Sequence, residues 1–370
     1  MTHARKSRAA VLREYGKPVA VEEFTVPEVG DDSLVVRIEV STMCGTDVHI
    51  VQGEIAHVAR LPVILGHEIV GRIAALGRNR KLDVTGAPLK EGDLIAWSYA
   101  WCGRCYWCTV ARQPTLCVAA RMYGWGPATE FPFVTGGFAE YAYVLPECQV
   151  VKVPQSLDPA LAASATCALR TVMHGFERIG RVASSETVVV QGTGPIGLYS
   201  VAMARGAGAH RVIAIGAPKN RLDLARDWGA DDVISIEDTP ESRERVEIVR
   251  RLTEGRGADL VVEASGAAIA FPEGLDLARR GGRYLVIGQA EPKPVSVYGT
   301  HFNIKMLSVI GVLSGEIRHY HAALHFLADN AERLPLKKLL GNRYPLSGVN
   351  DALRAMKTMA EVKPVIVPAG

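Results

Sequence analysis

The stretch Thr187-Val-Val-Val190-Gln191-Gly192-Thr193-Gly194-Pro195-Ile196-Gly197 decides the fold of this chain. Its first four residues are β-branched and suit a strand buried on both faces of a parallel sheet. The glycines at 192, 194 and 197 then open a helical stretch from Leu198 to Ala204. A lone Gly-x-Gly-x-x-Gly says little, but a strand before it and a helix after it give the context of a dinucleotide-binding turn. Gly192 makes the tight turn, Gly194 lets the main chain approach a pyrophosphate, and Gly197 lets helix and strand pack closely. Thr193, Pro195 and Ile196 complete the loop, and the helix N-terminus offers N–H groups to an anion. The bland alternative is a glycine-rich turn that binds nothing; the flanking strand and helix weigh against it.

Downstream of this loop, strands and helices alternate. Strands are read at Arg211–Ile215, Asp232–Ile236, Leu260–Glu263, Tyr284–Ile287 and Leu307–Ile310, with helical patterns such as Arg221–Trp228 between them. Such repetition implies a doubly wound parallel sheet. The second strand of a dinucleotide-binding unit ordinarily ends in an acidic residue that holds a ribose 2′-OH. Here Gly216 stands in that place, followed by Lys219 and Arg221. Either cation suits a 2′-phosphate, and either also suits a solvated helix start, so the choice between NAD and NADP stays open, with a lean to NAD.

Upstream, residues 1 to about 155 are rich in Gly, Pro and short β-branched runs, and Leu34–Val40 reads as a half-buried strand. The character changes near Pro154, and Asp158-Pro159 reads as a helix start. Towards the other end, Ile317–Asp329 reads as a helix, a second helix begins at Asn350 as N-cap, and Pro364–Val367 reads as a strand that folds back onto the first domain. The whole is α/β. We expect residues 1–165 with 316–370 to form one domain and 166–315 the other.

Composition narrows the function. The 370 residues are 48% hydrophobic and 22% charged with a formal charge of +3, the profile of an ordinary globular chain. No Lys/Arg run supports nucleic acid or a membrane surface as partner. No window approaches the roughly 18 apolar residues of a span, and the basic start lacks a signal-peptide core. Seven cysteines, four of them between Cys102 and Cys117, point to metal ligation in a reducing compartment, so the cytoplasm is the expected location.

Those four stand as Cys102-Gly-Arg-Cys105-Tyr-Trp-Cys108, with Cys117 after eight intervening residues. Thiolates two residues apart on a tight loop converge on one tetrahedral ion, and a four-thiolate site is closed, hence structural. Zinc is the first choice. An iron–sulfur cluster is the rival, although the last spacing matches neither common ferredoxin pattern. A nucleic-acid zinc ribbon would want a second cysteine pair or a basic stripe. A second constellation is Cys44-Gly-Thr46-Asp47-Val-His49, then Gly66-His67-Glu68, then Cys167. Taken singly, each of these residues is more often packing than ligand.

Taken together and in this order, the motifs resemble the zinc-containing medium-chain dehydrogenase/reductase family, the group of the zinc alcohol, sorbitol and threonine dehydrogenases. The resemblance covers nearly the whole chain and implies an irregular β-rich, GroES-like catalytic domain beside a Rossmann cofactor domain. It implies that Cys44, His67 and Cys167 hold a catalytic zinc with an open position, that Glu68 approaches or transiently ligates it, and that Asp47 accepts from the ring N–H of His67. It implies that Thr171 touches the nicotinamide and that Lys363 lies near the cofactor phosphates. One catalytic and one structural zinc per chain follow, with NAD or NADP as hydride carrier. Two departures stand out. The fourth lobe cysteine comes one residue later than is usual in the family, and Gly216 replaces the acidic residue. Cys148 is left over and reads as a buried core thiol.

The chemistry implied is hydride transfer between an alcohol and NAD(P), giving an aldehyde or ketone. Thr46 would pass the proton on and His49 deliver it to solvent. Trp97, Tyr99, Trp101, Tyr123, Trp125, Phe131 and Phe133 either line a pocket for a medium-sized, partly apolar alcohol or simply pack the loop. A polyol or amino-alcohol dehydrogenase of the same family is the alternative. A zinc-free reductase on this fold would need neither Gly66-His67-Glu68 nor Cys44. A homodimer or homotetramer is expected through the sheet edge near Leu307–Leu313.

Overall fold

The computed structural model describes residues 5–288 and 293–369. Two compact units emerge. Residues 1–170, 315–332 and 336–370 form one, and residues 171–314 with 333–335 form the other.

The second unit is built on a six-stranded parallel sheet. In spatial order its strands are Asp232–Ser235, Arg211–Gly216, Thr187–Gln191, Ala258–Glu263, Ala278–Val286 and Ser308–Gly311. Numbered along the chain this is 3-2-1-4-5-6, the order of a doubly wound dinucleotide-binding fold. Val188, Val189 and Val190 are wholly buried, as a central strand between helical layers requires. The fifth strand starts at Ala278, well before the Tyr284 read from sequence, because Arg279-Arg280-Gly281-Gly282-Arg283 hides a strand that hydrophobicity cannot reveal. Arg279 is held there by Asp259, Nε to Oδ1 at 2.5 Å.

The first unit is irregular and β-rich. Its larger sheet runs Leu340–Tyr344, Lys363–Ile366, Leu34–Thr42, Glu68–Leu76, Leu94–Trp97 and Val150–Lys152, with Tyr141–Val144 also pairing on Leu34–Thr42. A three-stranded sheet joins Ala20–Thr25, Lys6–Leu12 and Val63–Ile64. Leu34–Thr42 is not half-buried as its alternation suggested. Among its residues only Arg37 is exposed, because the strand sits centrally and is covered on both faces. The final strand pairs antiparallel with it, Val365 opposite Thr42, so the tail does return to this unit.

Two helix boundaries matter for the site. Asp158 Oδ1 accepts from Ala160 N at 2.8 Å and Pro159 takes the first helical position, so the helix Pro159–Ser164 starts where the sequence indicated. It continues as a π-helical turn, Ala165–Leu169, before the α-helix Arg170–Ile179; such turns recur at functional sites because they re-aim a side chain. Asn350 is not an N-cap. It lies inside the helix Val349–Lys357, and its amide bonds both main-chain groups of Val19 at 2.9 Å. Among the described residues no helix is long and apolar enough to cross a membrane.

Candidate active site and metal centres

Cys44 follows the strand Leu34–Thr42 and is the N-cap residue of the helix Gly45–Gln52. Asp47 in the first turn fixes this corner. Its Oδ2 accepts from Cys44 N at 2.9 Å, and its Oδ1 accepts from Gly66 N at 3.1 Å, tying the two loops together. Gly66 itself has φ +87°, and a Cβ there would meet Phe138 N at 2.8 Å. His67 and Glu68 enter the next strand, and Cys167 projects from the π-helical turn. One ligand atom from each of Cys44, His67, Glu68 and Cys167 lies within 4.8 Å of the others. Asp47 Oδ1 is 3.5 Å from His67 Nδ1, so this carboxylate orients the ring by charge while its hydrogen bonds go to the main chain instead of the ring N–H. Cys167 and Cys44 hydrogen-bond to each other. This sharing holds the Cys44 thiol well below and the Cys167 thiol well above the ordinary range.

Glu68 is wholly buried and both its oxygens are claimed. Thr42 Oγ1 donates to Oε2, and Lys363 Nζ donates to Oε1 at 2.5 Å. The sheet register explains the trio, since Thr42 lies opposite both Glu68 and Val365 on neighbouring strands. Burial pushes the Glu68 carboxyl up to about 7, with Lys363 pulling against the rise. Lys363 is also wholly buried. The expectation that it serves cofactor phosphates is therefore corrected: its ammonium is committed to Glu68, and the carboxylate and thiols around it hold it charged despite burial. Sequence alone could not pair residues 295 positions apart.

A second buried cation escaped the sequence reading. Arg170, 1% exposed and three residues after Cys167, stacks its guanidinium 4.6 Å from the rings of both Tyr99 and Tyr320 and bonds the Tyr320 hydroxyl. Desolvation opposes its charge, while Tyr320, Tyr99 and Cys167 favour it. The buried centre thus holds four groups able to be anionic (Cys44, Cys167, Asp47 and Glu68) against two cations (Lys363 and Arg170). With both thiols ionised, as zinc ligands would be, the anions outnumber these two cations by two, the charge that a divalent ion would neutralise. With two sulfurs and an imidazole as donors, the set fits zinc.

The helix Gly45–Gln52 also carries Thr46 and His49, one turn apart and hence neighbours on one face. Cys44 Sγ lies 3.6 Å from Thr46 Oγ1, so the hydroxyl touches the donor set. His49 Nδ1 pairs with Glu54, a partner not anticipated from sequence because it comes from beyond the helix end.

The four-cysteine lobe is also brought together. Ligand atoms of Cys102, Cys105, Cys108 and Cys117 lie within 4.8 Å of one another, and Cys105 and Cys108 sulfurs are 3.6 Å apart, near the edge of about 3.8 Å that tetrahedral zinc–sulfur bonds imply. Between Cys108 and Cys117, Arg112 adopts φ +52° and the 3₁₀ turn Pro114–Leu116 leads back to Cys117. Main-chain N–H groups hold the Cys105 thiol down at about 6, while burial and the shared proton push Cys108 up to about 12. Cys148, by contrast, is 1% exposed and pushed up to about 12 by burial, a core thiol as read.

In the second unit, Gly192 at φ +103° would place a Cβ 2.7 Å from Ser265 N, and a Cβ on Gly197 would fall 1.9 Å from Gly192 O. Both must be glycine for the loop to close. Gly194 caps the helix Pro195–Gly206, leaving the N–H groups of Ile196 and Gly197 outside the helical ladder. Thr193 Oγ1 donates to Ala217 O at 3.2 Å and would lie 2.5 Å from any Cβ on Gly216. A side chain at 216, acidic or otherwise, would displace that threonine. Lys219 is exposed and bonds Asp223 at 2.9 Å, whereas Arg221 is buried, which lowers its pKa, and Thr171 is buried on the helix Arg170–Ile179.

The aromatic residues divide. Trp97, Tyr99, Trp101 and Tyr123 are core, while Trp125 and Phe133 are half-buried and Phe131 is exposed. Trp125 borders a recess of about 580 Å³ with Val58, Met122, Pro127, Arg60 and Glu130. Its ring lies 6.2 Å from that of His67.

A doubly wound nucleotide unit, a β-rich unit with a buried Cys–His–Cys centre and a separate four-cysteine lobe define a zinc-dependent, nicotinamide-dependent alcohol oxidoreductase. The chain belongs to the zinc-containing medium-chain dehydrogenase/reductase family. Residues 30–155 match the alcohol dehydrogenase GroES-like domain and residues 195–329 the zinc-binding dehydrogenase domain. The chain is 38% identical to 5-exo-hydroxycamphor dehydrogenase of Pseudomonas putida over 97% of its own length and 98% of that protein's. It is 30% identical to an alcohol dehydrogenase of Geobacillus stearothermophilus over 94% and 96%. Among solved structures it resembles an alcohol dehydrogenase from Thermotoga maritima (TM-score 0.91, 35% identity, covering 98% of this chain and 100% of that one). It also resembles a zinc-binding dehydrogenase from Sinorhizobium meliloti bound to NADP (TM-score 0.84, 28% identity, 98% and 100%).

Proposed function

We propose that Cys44, His67 and Cys167 hold the catalytic zinc, that Cys102, Cys105, Cys108 and Cys117 hold a structural one, and that the substrate is a medium-sized secondary alcohol. The observation that carries this reading is the convergence of Cys44, His67, Glu68 and Cys167, whose ligand atoms lie within 4.8 Å of one another. A bound zinc supplies Lewis acidity that makes an alcohol hydroxyl acidic near neutral pH, and the nicotinamide supplies the hydride acceptor. The chain's own residues do the rest. Thr46 takes the proton at Oγ1, His49 hands it to solvent, Asp47 keeps the His67 ring in place, and Lys363 with Thr42 holds Glu68 beside the donors. Gly192–Gly197 receives the pyrophosphate, with Thr171, Gly216, Lys219 and Arg221 as further cofactor-side candidates.

What supports the substrate class is that relatives of this chain are named 5-exo-hydroxycamphor dehydrogenase and L-threonine 3-dehydrogenase, and both names place the hydroxyl on a secondary carbon. We place the protein in the cytoplasm, as an oligomer joined through the outer strand Ser308–Gly311, near which Ile304, Met306 and Leu313 are exposed. The test is metal content per chain together with NAD and NADP reduction over bicyclic, aliphatic and polyol alcohols, with molecular mass in solution. Two zincs per chain and turnover of bulky secondary alcohols are expected. One zinc without turnover removes the catalytic assignment, and preference for primary aliphatic alcohols removes the substrate class.

A further inference from the structure

His49 has a built-in partner. The helix that carries it stops at Gly53, whose φ of +78° lies in the left-handed region, and a Cβ at Gly53 would come within 3.1 Å of Tyr15. This reversal sends the chain back along the last turn. Glu54 N donates to His49 O at 3.0 Å, and the Glu54 carboxylate reaches His49 Nδ1 through Oε2. The other carboxylate oxygen is held too. With its amide turned to satisfy both neighbours, Gln52 donates to Glu54 Oε1 at 3.3 Å and accepts from Lys357 Nζ at 2.8 Å. Lys357 comes from the helix Val349–Lys357, so two helices fix the carboxylate. The His49 and Glu54 side chains are 35% and 42% exposed, so this chain of contacts ends in water.

We infer that Glu54 is the positioning residue for proton exit, holding His49 as the Nδ1–H tautomer so that Nε2 is the nitrogen that accepts. This rests on the proposed Thr46–His49 relay and adds its outlet. An imidazole that donates Nδ1–H to a carboxylate keeps its lone pair on Nε2. When the alcohol is oxidised, its hydride goes to the nicotinamide and its hydroxyl proton to Thr46 Oγ1, whose own proton moves to the Nε2 side of His49. The imidazolium then gives up its Nε2 proton to water while Glu54 keeps the proton on Nδ1 in place, and each carrier returns to its starting form. An exposed pair of this kind contributes little to stability. Its geometry, a left-handed stop plus a Gln52–Lys357 brace, is explained by orientation of the ring.

The experiment is a single turnover of the zinc-loaded enzyme with excess cofactor, in weakly buffered solution containing a pH-indicator dye. Proton release and nucleotide reduction are followed together. In the parent enzyme the two keep pace. Glu54→Ala is expected to slow proton release roughly tenfold, less than the roughly 10²-fold or more that general acid–base assistance supplies, because His49 itself remains. Its metal content, cofactor Kd and Tm should stay at the parent values. A non-coordinating amine buffer should restore the rate, which a merely structural role would not permit, and Glu54→Ala in a His49→Ala background should add nothing. Unchanged proton release in Glu54→Ala, or slowing that buffer does not relieve, overturns the inference. Unchanged release in His49→Ala overturns the relay itself, so the two failures are distinguishable.

Discussion

The two cysteine-rich centres use the same ligand chemistry in opposite surroundings. Around Cys44, His67 and Cys167 the protein supplies wholly buried charges of both signs, in Lys363, Glu68 and Asp47. In the lobe, Cys102, Cys105, Cys108 and Cys117 are half-buried, as Cys44 and Cys167 are, but are met mainly by main-chain N–H groups. Thiolates near water are solvated by amides and solvent. Wholly buried charges such as Glu68 must be balanced by fixed ions, because an uncompensated buried charge is costly. A closed site needs only to be held; an open one must stay charged, dry and accessible at once.

This contrast can be broken at either end. The largest effect is expected from Cys44→Ser, which should lower kcat by at least about 10³-fold, as loss of several kcal/mol of electrophilic stabilisation demands. Metal analysis should then find the lobe ion retained. Next comes Lys363→Met, which leaves Glu68 buried without its cation and should cost about 3–5 kcal/mol in denaturant unfolding. Adding Glu68→Gln should recover most of that loss. If Lys363→Met alone is neutral, the fixed-charge account of the buried centre fails. In the lobe, Cys105→Ser should release one zinc and lower Tm by on the order of 5 °C, with kcat of the folded enzyme nearly preserved. A collapse of kcat there would erase the division of labour. The smallest effect is expected from Tyr320→Phe, which removes the hydroxyl that Arg170 bonds and should cost about 1 kcal/mol without altering either metal count.

How far these centres were legible in sequence follows from what each depends on. The lobe is written in local spacing, since three of its cysteines fall within seven consecutive residues, and the glycine loop is local too. The parallel, doubly wound sheet followed from strand–helix alternation, apart from the arginine- and glycine-rich start of one strand that only pairing reveals. Lys363, Thr42 and Arg170 were misread or missed because their meaning lies in sheet register and in a π-helical turn, neither of which leaves a periodic signal. Arg170 did offer a hint in its three-residue spacing from Cys167. Glu54 offered none, because its approach to His49 depends on the left-handed stop at Gly53. Four of the seven aromatic residues are buried, and three of them, Trp97, Tyr99 and Tyr123, also line a small cavity beside His67, so hydrophobicity cannot tell a wall from a filling.

The ion pair between Glu68 and Lys363 also bears on how the polypeptide is made. The two residues are 295 positions apart, and residues 171–314 of the other unit are synthesised between them. At the usual ribosomal pace of about 5–20 residues per second, Glu68 waits roughly 15–60 s for its cation. The nucleotide unit, uninterrupted over almost its whole length, has its sheet available first. The catalytic unit cannot close around Glu68 until its last strand arrives, so the nascent chain carries a finished cofactor unit beside a centre still open to water and to passing metal ions.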